Sequence, residues 1–366
     1  MYTPLGLSGW SRTGADHDRD AGGRPRPCVR VRGIAGRPDS QAAGLVRQRG
    51  HLRGLAGGGD RRAANETVAS ALNYYHGYLF VSTGGYVGDA PPYVRHVTTI
   101  FAALGQRLHT FNTLCAGAHH LIAPSVCPAS GSAIWDRAGV VVDLATGNLL
   151  AATGNGLYDG RSNFGDSVVE LAALAGRLLH HYTPLAYREL QLRDLDLGST
   201  APALLTAPGR RTPGYLVQGG KDGLLRLVNL SRMGLGSAVQ QVPTPAAAQV
   251  LTAIAVRWHL GHDWVFVADN GGTACWAFTG APARLHLVWR NSTPGTSPVL
   301  AGGLLYVYNP AGGLNVYRPD TGRRIQTLPS GAGHWQRPIV AGGQIARAEA
   351  NANSHLQSGV LELCGP

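Results

Sequence analysis

The apolar positions of the chain fall into short runs that share one design. Each run follows a glycine-containing turn, continues through apolar or β-branched residues, and ends in a turn rich in Gly, Asn or Asp. Runs of this kind, bounded by turn signals, predict β-strands. The segments are residues 77–85, 148–156, 214–223, 263–272, 303–313 and 342–350.

The spacing of these segments predicts a repeated sheet. Their starts are 71, 66, 49, 40 and 39 residues apart, and each is followed by a second strand-like run. Several units add a third run, as in residues 320–328, and a preceding one, as in residues 297–303. Four short strands at a period near 40 residues are typical of a β-propeller blade. We therefore predict an all-β fold, a β-propeller of four-stranded blades with about six visible blades; a pair of β-sandwiches is the alternative.

Two intervals exceed the repeat length because they contain insertions. The insertions are residues 108–136 and 181–197, and residues 188–194 could form a single helical turn. Long insertions in compact β-folds are where binding and catalysis concentrate. Both segments are therefore candidate positions for a functional site.

The positive charge of the chain is concentrated at its start. The formal net charge is +11, and residues 1–64 contribute 12 arginines against five aspartates. We interpret residues 1–64 as an Arg/Gly-rich leader that is disordered or out of frame, and residues 65–366 as the propeller domain. The ring would have seven or eight blades if the N-terminal region were intact. Because the basic segment has few aromatic residues and no clear period, we do not expect nucleic acid as a partner.

The chain shows no membrane or export signal of its own. No run approaches the ~20 apolar residues of a membrane-spanning helix, so no transmembrane segment is expected. The first 25 residues lack the apolar run of a secretory signal peptide. That observation has little weight if the N-terminus is incorrect.

The cysteines bear on the compartment. Cys115 and Cys127 bracket an 11-residue loop, residues 116–126, that contains two adjacent histidines. A disulfide between them would restrict this loop and favours a periplasmic or secreted protein. A metal site formed by the two cysteines with His119 and His120 is the alternative, although its spacing fits no common zinc pattern. Cys275 and Cys364 lie in predicted strands, as buried thiols or as a second pair.

Several motifs carry a family resemblance. They are GSAIW at 131–135, GVVVDLATGNLLAATGNG at 139–156, GDSVVEL at 165–171, DLDLGSTAPALL at 194–205 and YLVQGGKDGLLRLVN at 215–229. An Asp-x-x-Thr-Gly turn occurs at 143–147, and a shortened form occurs at 320–322. From residue 65 to the end, the chain resembles the PQQ-like repeat propellers, which are relatives of the quinoprotein alcohol dehydrogenases.

The resemblance implies a specific site. In that family, PQQ and Ca²⁺ lie on the propeller axis, and an aspartate accepts the alcohol proton while hydride passes to the quinone. Asn155 matches the asparagine that ligates Ca²⁺, and Lys221 matches a basic residue that contacts the quinone oxygens. Asp194 or Asp196 lies where the catalytic base falls. Trp289 best matches the tryptophan that docks neighbouring blades.

The sequence also departs from the enzymes. The adjacent cysteine pair that packs beneath the PQQ ring in many of them is missing. Neither Glu66 nor Glu170 has the sequence context of the glutamate that ligates Ca²⁺. Asn155 also suits its turn because asparagine tolerates positive φ, and Asp194 and Asp196 could be solvated loop carboxylates.

Two functional expectations follow. The first is an extracytoplasmic binding or scaffold module without cofactor or catalysis, which binds a protein partner, a small ligand or a glycan at the propeller channel. The alternative is a PQQ- and Ca²⁺-dependent dehydrogenase that oxidises an alcohol or a sugar.

Overall fold

Short β-strands account for nearly all of the regular structure. A computed structural model of the chain describes residues 28–32, 66–68, 70–85, 91–93, 95–333, 337–351 and 356–364. The strands, in chain order, are β1 (Cys28–Arg32), β2 (Glu66–Thr67), β3 (Asn73–Tyr75), β4 (Tyr78–Ser82), β5 (Gly84–Gly85), β6 (His96–Phe101), β7 (Gln106–Asn112), β8 (Val141–Val142), β9 (Leu149–Ala152), β10 (Val168–Leu171), β11 (Leu178–Tyr182), β12 (Ala203–Leu205), β13 (Tyr215–Gln218), β14 (Leu224–Asn229), β15 (Ala238–Pro243), β16 (Ala255–His259), β17 (His262–Ala268), β18 (Thr273–Gly280), β19 (Ala283–Asn291), β20 (Thr296–Ala301), β21 (Leu304–Tyr308), β22 (Leu314–Tyr317), β23 (Arg324–Leu328), β24 (Ile339–Ala341), β25 (Gln344–Asn351) and β26 (Leu356–Cys364).

These strands form the predicted repeated sheets. Within the described residues there are six four-stranded antiparallel sheets and a small sheet of β2 and β5. We call the six sheets blades one to six in chain order. They are β3-β4-β6-β7, β8-β9-β10-β11, β12-β13-β14-β15, β16-β17-β18-β19, β20-β21-β22-β23 and β24-β25-β26-β1. The prediction of four-stranded propeller blades, six of them visible, is confirmed.

The hydrophobic core lies between successive blades, which explains the continuous apolar runs. In β9, Leu149 and Ala151 pack with blade one, whereas Leu150 and Ala152 pack with blade three. Successive side chains of a strand point to opposite faces, so a sheet covered on both faces needs apolar residues at every position. Further clusters join blades three and four, four and five, and five and six.

The first strand of a blade lies on the inner side of the ring. Thr200, just before β12, forms a parallel bridge with Thr252, just before β16. The Oγ1 atom of Thr252 lies 3.4 Å from the Oγ1 atom of Thr296, at the start of β20. Because the starts of successive blades meet in this way, residues that lead into these first strands lie near the propeller axis.

Trp289 makes the predicted contact between blades. It belongs to β19 of blade four, and its indole Nε1 donates to the carbonyl oxygen of Pro319 at 2.8 Å. The ring covers Gly322, which has φ +68°, and a β-carbon at Gly322 would lie 2.5 Å from Trp289 Cε3. The Asp320–Gly322 turn of blade five therefore requires glycine under the tryptophan.

Blade six contains strands from both ends of the chain. Its outer strand β1 pairs antiparallel with β26, with Val29 opposite Leu363 and Val31 opposite Leu361. Our sequence prediction did not include this strand, although the CVRVR segment alternates with the period of a strand. Residues 1–27 and 33–64, the rest of the proposed leader, lie outside the described residues.

Helical structure within the described residues is short. One α-helix, α1 (Tyr187–Arg193), stands where a single turn was predicted. Single 3₁₀ turns occur at Pro124–Val126, Ala173–Ala175, Leu197–Ser199 and Leu230–Arg232. In the part of the chain that the structure describes, no helix has the length and hydropathy needed to cross a bilayer.

Candidate functional site

The four site residues predicted from sequence converge at the junction of blades two and three. Asn155 follows β9, and Asp194 ends α1 in the left-handed conformation with φ +55°. Asp196 precedes the 3₁₀ turn that leads into β12, and Lys221 lies in the turn between β13 and β14. Since β12 is an inner strand, this group of residues, the polar cluster below, lies at the axial end of the two blades.

Asp196 is the buried centre of the polar cluster. The residue is only 2% exposed. Its Oδ1 accepts the backbone N–H of Asn155 at 2.8 Å, and its Oδ2 lies 2.5 Å from the Nζ atom of Lys221. The backbone N–H of Lys221 donates to the Asp196 carbonyl oxygen at 3.1 Å. Both carboxylate oxygens are thus engaged, and this side chain fixes two loops to each other.

Asp194 is the carboxylate of the cluster that faces solvent. Its side chain is 78% exposed, and its Oδ2 lies 3.8 Å from Lys221 Nζ. The side-chain amide of Asn155 donates to Asp194 Oδ1 at 2.7 Å. Asn155 Oδ1 is buried without a hydrogen-bond partner. Of these two side chains, Asp194 is therefore the one that is open to solvent.

The Thr-Gly-Asn turn requires its glycine because of close packing. A β-carbon at Gly154 would overlap Asp196 Oδ1 and would lie 3.0 Å from Trp135 Cδ1. A β-carbon at Gly198 would lie 2.5 Å from the carbonyl carbon of Thr153. The motif residues that looked like ordinary turn glycines thus allow Asp196 to reach the Asn155 backbone.

The buried carboxyl group of Asp166, which lies next to the cluster, was not predicted from the sequence. Asp166 is 1% exposed and has φ +46°. Its Oδ1 accepts the backbone N–H of Leu197 at 3.0 Å, while its Oδ2 has no partner. Burial raises the pKa of Asp166 to about 8, and the negative charges of Asp196 and Asp222 act in the same direction. At neutral pH this carboxyl group therefore holds a proton.

The neighbouring Asp222 is neutralised by a buried arginine. The guanidinium of Arg226 donates to both carboxylate oxygens of Asp222. Sequence reasoning noticed the Lys-Asp-Gly turn and missed this pair. The two residues are four positions apart on a hairpin, and only the fold shows that they face each other.

Next to the cluster lies a cavity of about 910 Å³. Its walls come from both predicted insertions and from the loop after Asn155. They comprise Cys115, Pro128, Ala129, Ser130, Gly156, Leu157, Tyr158, Ser162, Asn163, Tyr187, Arg188, Gln191 and Leu192.

The first insertion is fixed by covalent and polar contacts. Cys115 and Cys127 form a disulfide, the pairing that their spacing suggested, so the alternative zinc site has lost both thiolates. The side-chain amide of Asn112 donates to the carbonyl oxygens of Ala118 at 2.7 Å and of His120 at 2.9 Å. The backbone N–H of Cys115 donates to Asn163 Oδ1 at 3.2 Å. The cavity wall formed by this loop is therefore held in place from both sides.

The remaining candidates lie elsewhere. Cys275 is a free buried thiol, so the alternative Cys275–Cys364 pair is wrong. Glu66 lies 3.3 Å from the Nδ1 atom of His96. Glu170 accepts from the side-chain amide of Asn148 at 2.8 Å.

Comparison with known proteins identifies the fold. No protein-family model matches the chain, and no curated protein matches it in sequence. Solved structures do match: the quinohemoprotein alcohol dehydrogenases of Pseudomonas putida (TM-score 0.55, 14% identity) and Comamonas testosteroni (0.53, 13%), and a europium-containing methanol dehydrogenase (0.54, 15%). The chain shares the β-propeller fold of these dehydrogenases.

The likeness extends to the fold alone. The matches cover 84%, 84% and 78% of this chain, and they cover 62%, 62% and 66% of those proteins. The chain thus spans less than two thirds of the length of each dehydrogenase. At this level of identity, the chemistry of this propeller has to be argued from its own residues.

The polar cluster fits the quinoprotein cofactors only in part. Calcium takes six to eight oxygen ligands, and the cluster offers Asn155 Oδ1 and the Asp194 carboxylate. Asp196 is already saturated by Lys221 and the Asn155 backbone. Among the described residues, no group of three or more His, Cys, Asp or Glu side chains could hold a metal ion.

Proposed function

We propose that this protein is an extracytoplasmic propeller that binds a small ligand beside the polar cluster and does not transform it. The observation that carries the proposal is the cavity of about 910 Å³ lined by both insertions. Ligand sites in proteins are concave, largely apolar and of this size. Both insertions and the loop after Asn155 contribute to its walls.

The charges of the cluster support binding over catalysis. A general base needs an uncommitted carboxylate beside its substrate. Asp196, the better buried of the two candidate bases, is neutralised by Lys221 at 2.5 Å. The contacts of Asp196 connect the Asn155 loop, the end of α1 and the β13–β14 turn, so its role in the proposal is structural.

The disulfide supports the proposed compartment. Disulfides persist in oxidising environments and are rare in the cytosol. The Cys115–Cys127 bond lies at the cavity wall, so a reducing compartment would loosen the proposed site itself. This supports a periplasmic or secreted location.

A second candidate is a dehydrogenase that uses PQQ and Ca²⁺ to oxidise an alcohol or a sugar. The convergence of Asn155, Asp194, Asp196 and Lys221 favours it, because the family resemblance requires these positions to meet. Bound PQQ would supply the hydride acceptor. In this protein, Asp194 is the exposed carboxylate that could take the hydroxyl proton, and Asn155 orients it through the 2.7 Å hydrogen bond.

A cavity-filling variant tests the proposed function. Ala129→Trp places an indole in the cavity, and Ala145→Trp places one on an exposed turn as the matched control. In a thermal-shift screen of small molecules, hits should raise the Tm of the wild type and of Ala145→Trp, and should lose their effect on Ala129→Trp, because a ligand of the folded state stabilises it. A screen without hits, or hits that Ala129→Trp retains, would refute ligand binding at the cavity.

The dehydrogenase is tested separately. Purified protein is mixed with PQQ, Ca²⁺ and an alcohol panel, and reduction of an artificial electron-accepting dye is followed. Turnover that is lost in Asp194→Asn and kept in Glu189→Gln, an exposed carboxylate on α1, would favour the second candidate over the first. No turnover and no PQQ-dependent change in Tm would eliminate it.

A further inference from the structure

We infer that the cavity binds a small aromatic carboxylate, whose ring packs between tyrosine and leucine side chains and whose acidic group pairs with Arg188. The inference rests on the proposed ligand-binding function and specifies the chemical class of the ligand. It starts from the charge of the cavity wall. Arg188 is the one charged residue among those that line the cavity. An occupant with a single negative charge is therefore complementary to it.

The guanidinium of Arg188 is oriented and accessible. Its Nε donates to the hydroxyl oxygen of Tyr187 at 3.1 Å, and its Cζ lies 5.6 Å from the centre of that ring. The residue is exposed, and no ion pair holds it within the described residues. By contrast, Arg193 on the same helix pairs with Glu189 at 2.9 Å. A planar guanidinium binds a carboxylate through two parallel hydrogen bonds, which a single point charge cannot do.

The wall beside Arg188 is aromatic. The rings of Tyr158 and Tyr187 pack edge to face, with their centres 4.9 Å apart. The hydroxyl of Tyr158 lies 3.1 Å from His181 Nε2, which fixes the ring from behind. Aromatic pairs of this geometry accept a further ring by stacking or by edge contact. The tyrosines thus favour a flat ring over a flexible chain.

Two leucines complete the apolar surface. Leu157 is 55% exposed and Leu192 is 85% exposed, and both line the cavity. Covering an exposed leucine side chain with an apolar group is favourable by about 25 cal/mol for each Å² of apolar surface removed from water. A ring that covers them gains this contribution, whereas a small inorganic anion such as phosphate does not.

The polar groups opposite the leucines are held in place before any ligand arrives. Asp159 Oδ1 accepts the backbone N–H groups of Arg161, Ser162 and Asn163, each within 2.9 Å. The Asn163 side chain in turn receives the backbone N–H of Cys115 at the disulfide. A site that is already ordered loses little conformational entropy on binding.

A matched pair of probes tests the inference. Binding of 2-naphthoate and of 2-naphthamide, which share a ring and differ in charge, is measured by isothermal titration calorimetry. The wild type should bind the acid at least tenfold more tightly than the amide. Arg188→Gln should abolish that preference while its affinity for the amide stays the same. Arg211→Gln, which removes an exposed arginine from the β12–β13 loop, should keep the preference.

The outcomes separate the inference from the function on which it rests. Equal binding of acid and amide by the wild type, a preference that survives Arg188→Gln, or binding of neither probe would overturn the aromatic carboxylate. If the thermal-shift screen still yields hits that Ala129→Trp abolishes, ligand binding at the cavity stands and only the ligand class is wrong. Arg188 is exposed, so Arg188→Gln should fold; an unchanged melting temperature confirms this.

Discussion

Replacing Asp166 with asparagine should remove the contribution of this residue to the loss of stability at alkaline pH. Asp166 is buried, has a left-handed backbone, and leaves Oδ2 without a hydrogen-bond partner. Asparagine has the shape of the protonated acid, tolerates positive φ, and can still accept the Leu197 N–H at its side-chain oxygen. The variant therefore copies the neutral form of Asp166 and cannot acquire its charge.

The sign and size of the effect follow from the pKa. Burial raises the pKa of Asp166 from 3.8 in the unfolded chain to about 8 in the folded protein. Between these values the folded state binds the extra proton, so wild-type stability falls as pH rises and the loss is complete above pH 8. One pH unit corresponds to about 1.4 kcal/mol, so the wild type should lose about 4 kcal/mol relative to Asp166→Asn between pH 5 and pH 9.

Urea unfolding at pH 5, 7 and 9, followed by tryptophan fluorescence, measures this difference. Asp136, whose pKa burial also raises to about 8, is present in both proteins and cancels. We expect the two proteins to be similar at pH 5 and the variant to be the more stable at pH 9. Glu189→Gln, which removes an exposed carboxylate, is the matched control. A difference between wild type and Asp166→Asn that does not change with pH would refute the assignment of a protonated Asp166.

Three further predictions concern stability, each measured by urea unfolding. Lys221→Met should cost about 3 kcal/mol because it leaves Asp196 buried without its cation, and adding Asp196→Asn should restore most of the loss; strictly additive losses would contradict the pairing. Gly302→Ala should cost about 1 kcal/mol for its backbone alone, and Gly322→Ala should cost clearly more because Trp289 occupies the space; equal losses would contradict the docking contact. Removing the Cys115–Cys127 disulfide, which joins residues 12 positions apart, in a Cys115→Ser/Cys127→Ser variant should cost about 3 kcal/mol, and an unchanged urea midpoint would contradict its stabilising role.

The fold was predictable because its signal is local and repeated. The sequence of each blade consists of apolar runs between glycine-containing turns. The runs are continuously apolar because both faces of each sheet are buried. The contact of Trp289 with the Asp320–Gly322 turn could be anticipated for the same reason, since it belongs to the repeat. Strand β1 was missed because it lies far in sequence from its partner β26 and inside an arginine-rich segment whose composition is that of a leader.

The candidate site residues could be proposed from the sequence only where a motif marked them. Asn155, Asp194, Asp196 and Lys221 were found because the resemblance gave each a position. Asp166 was missed because nothing near it in sequence distinguishes a buried aspartate from one in a solvated turn. Its charge depends on groups 30 and 56 positions away. Such long-range electrostatics arise from the packing of blades two and three and leave no periodic trace in the chain.

The polar cluster and the cavity form one structural unit, and Lys221 is the residue on which their connection depends. The Lys221 ammonium donates a hydrogen bond of 3.5 Å to the backbone carbonyl oxygen of Asp194, the residue that caps α1. The same helix presents Tyr187 and Arg188 to the cavity. Lys221 is the only lysine among 32 basic residues of the chain. A compact ammonium can approach Asp196 and the helix end together, whereas the planar fork of an arginine needs more space. The choice of lysine here therefore fixes α1 from the axial side, and with α1 the wall against which a ligand would pack.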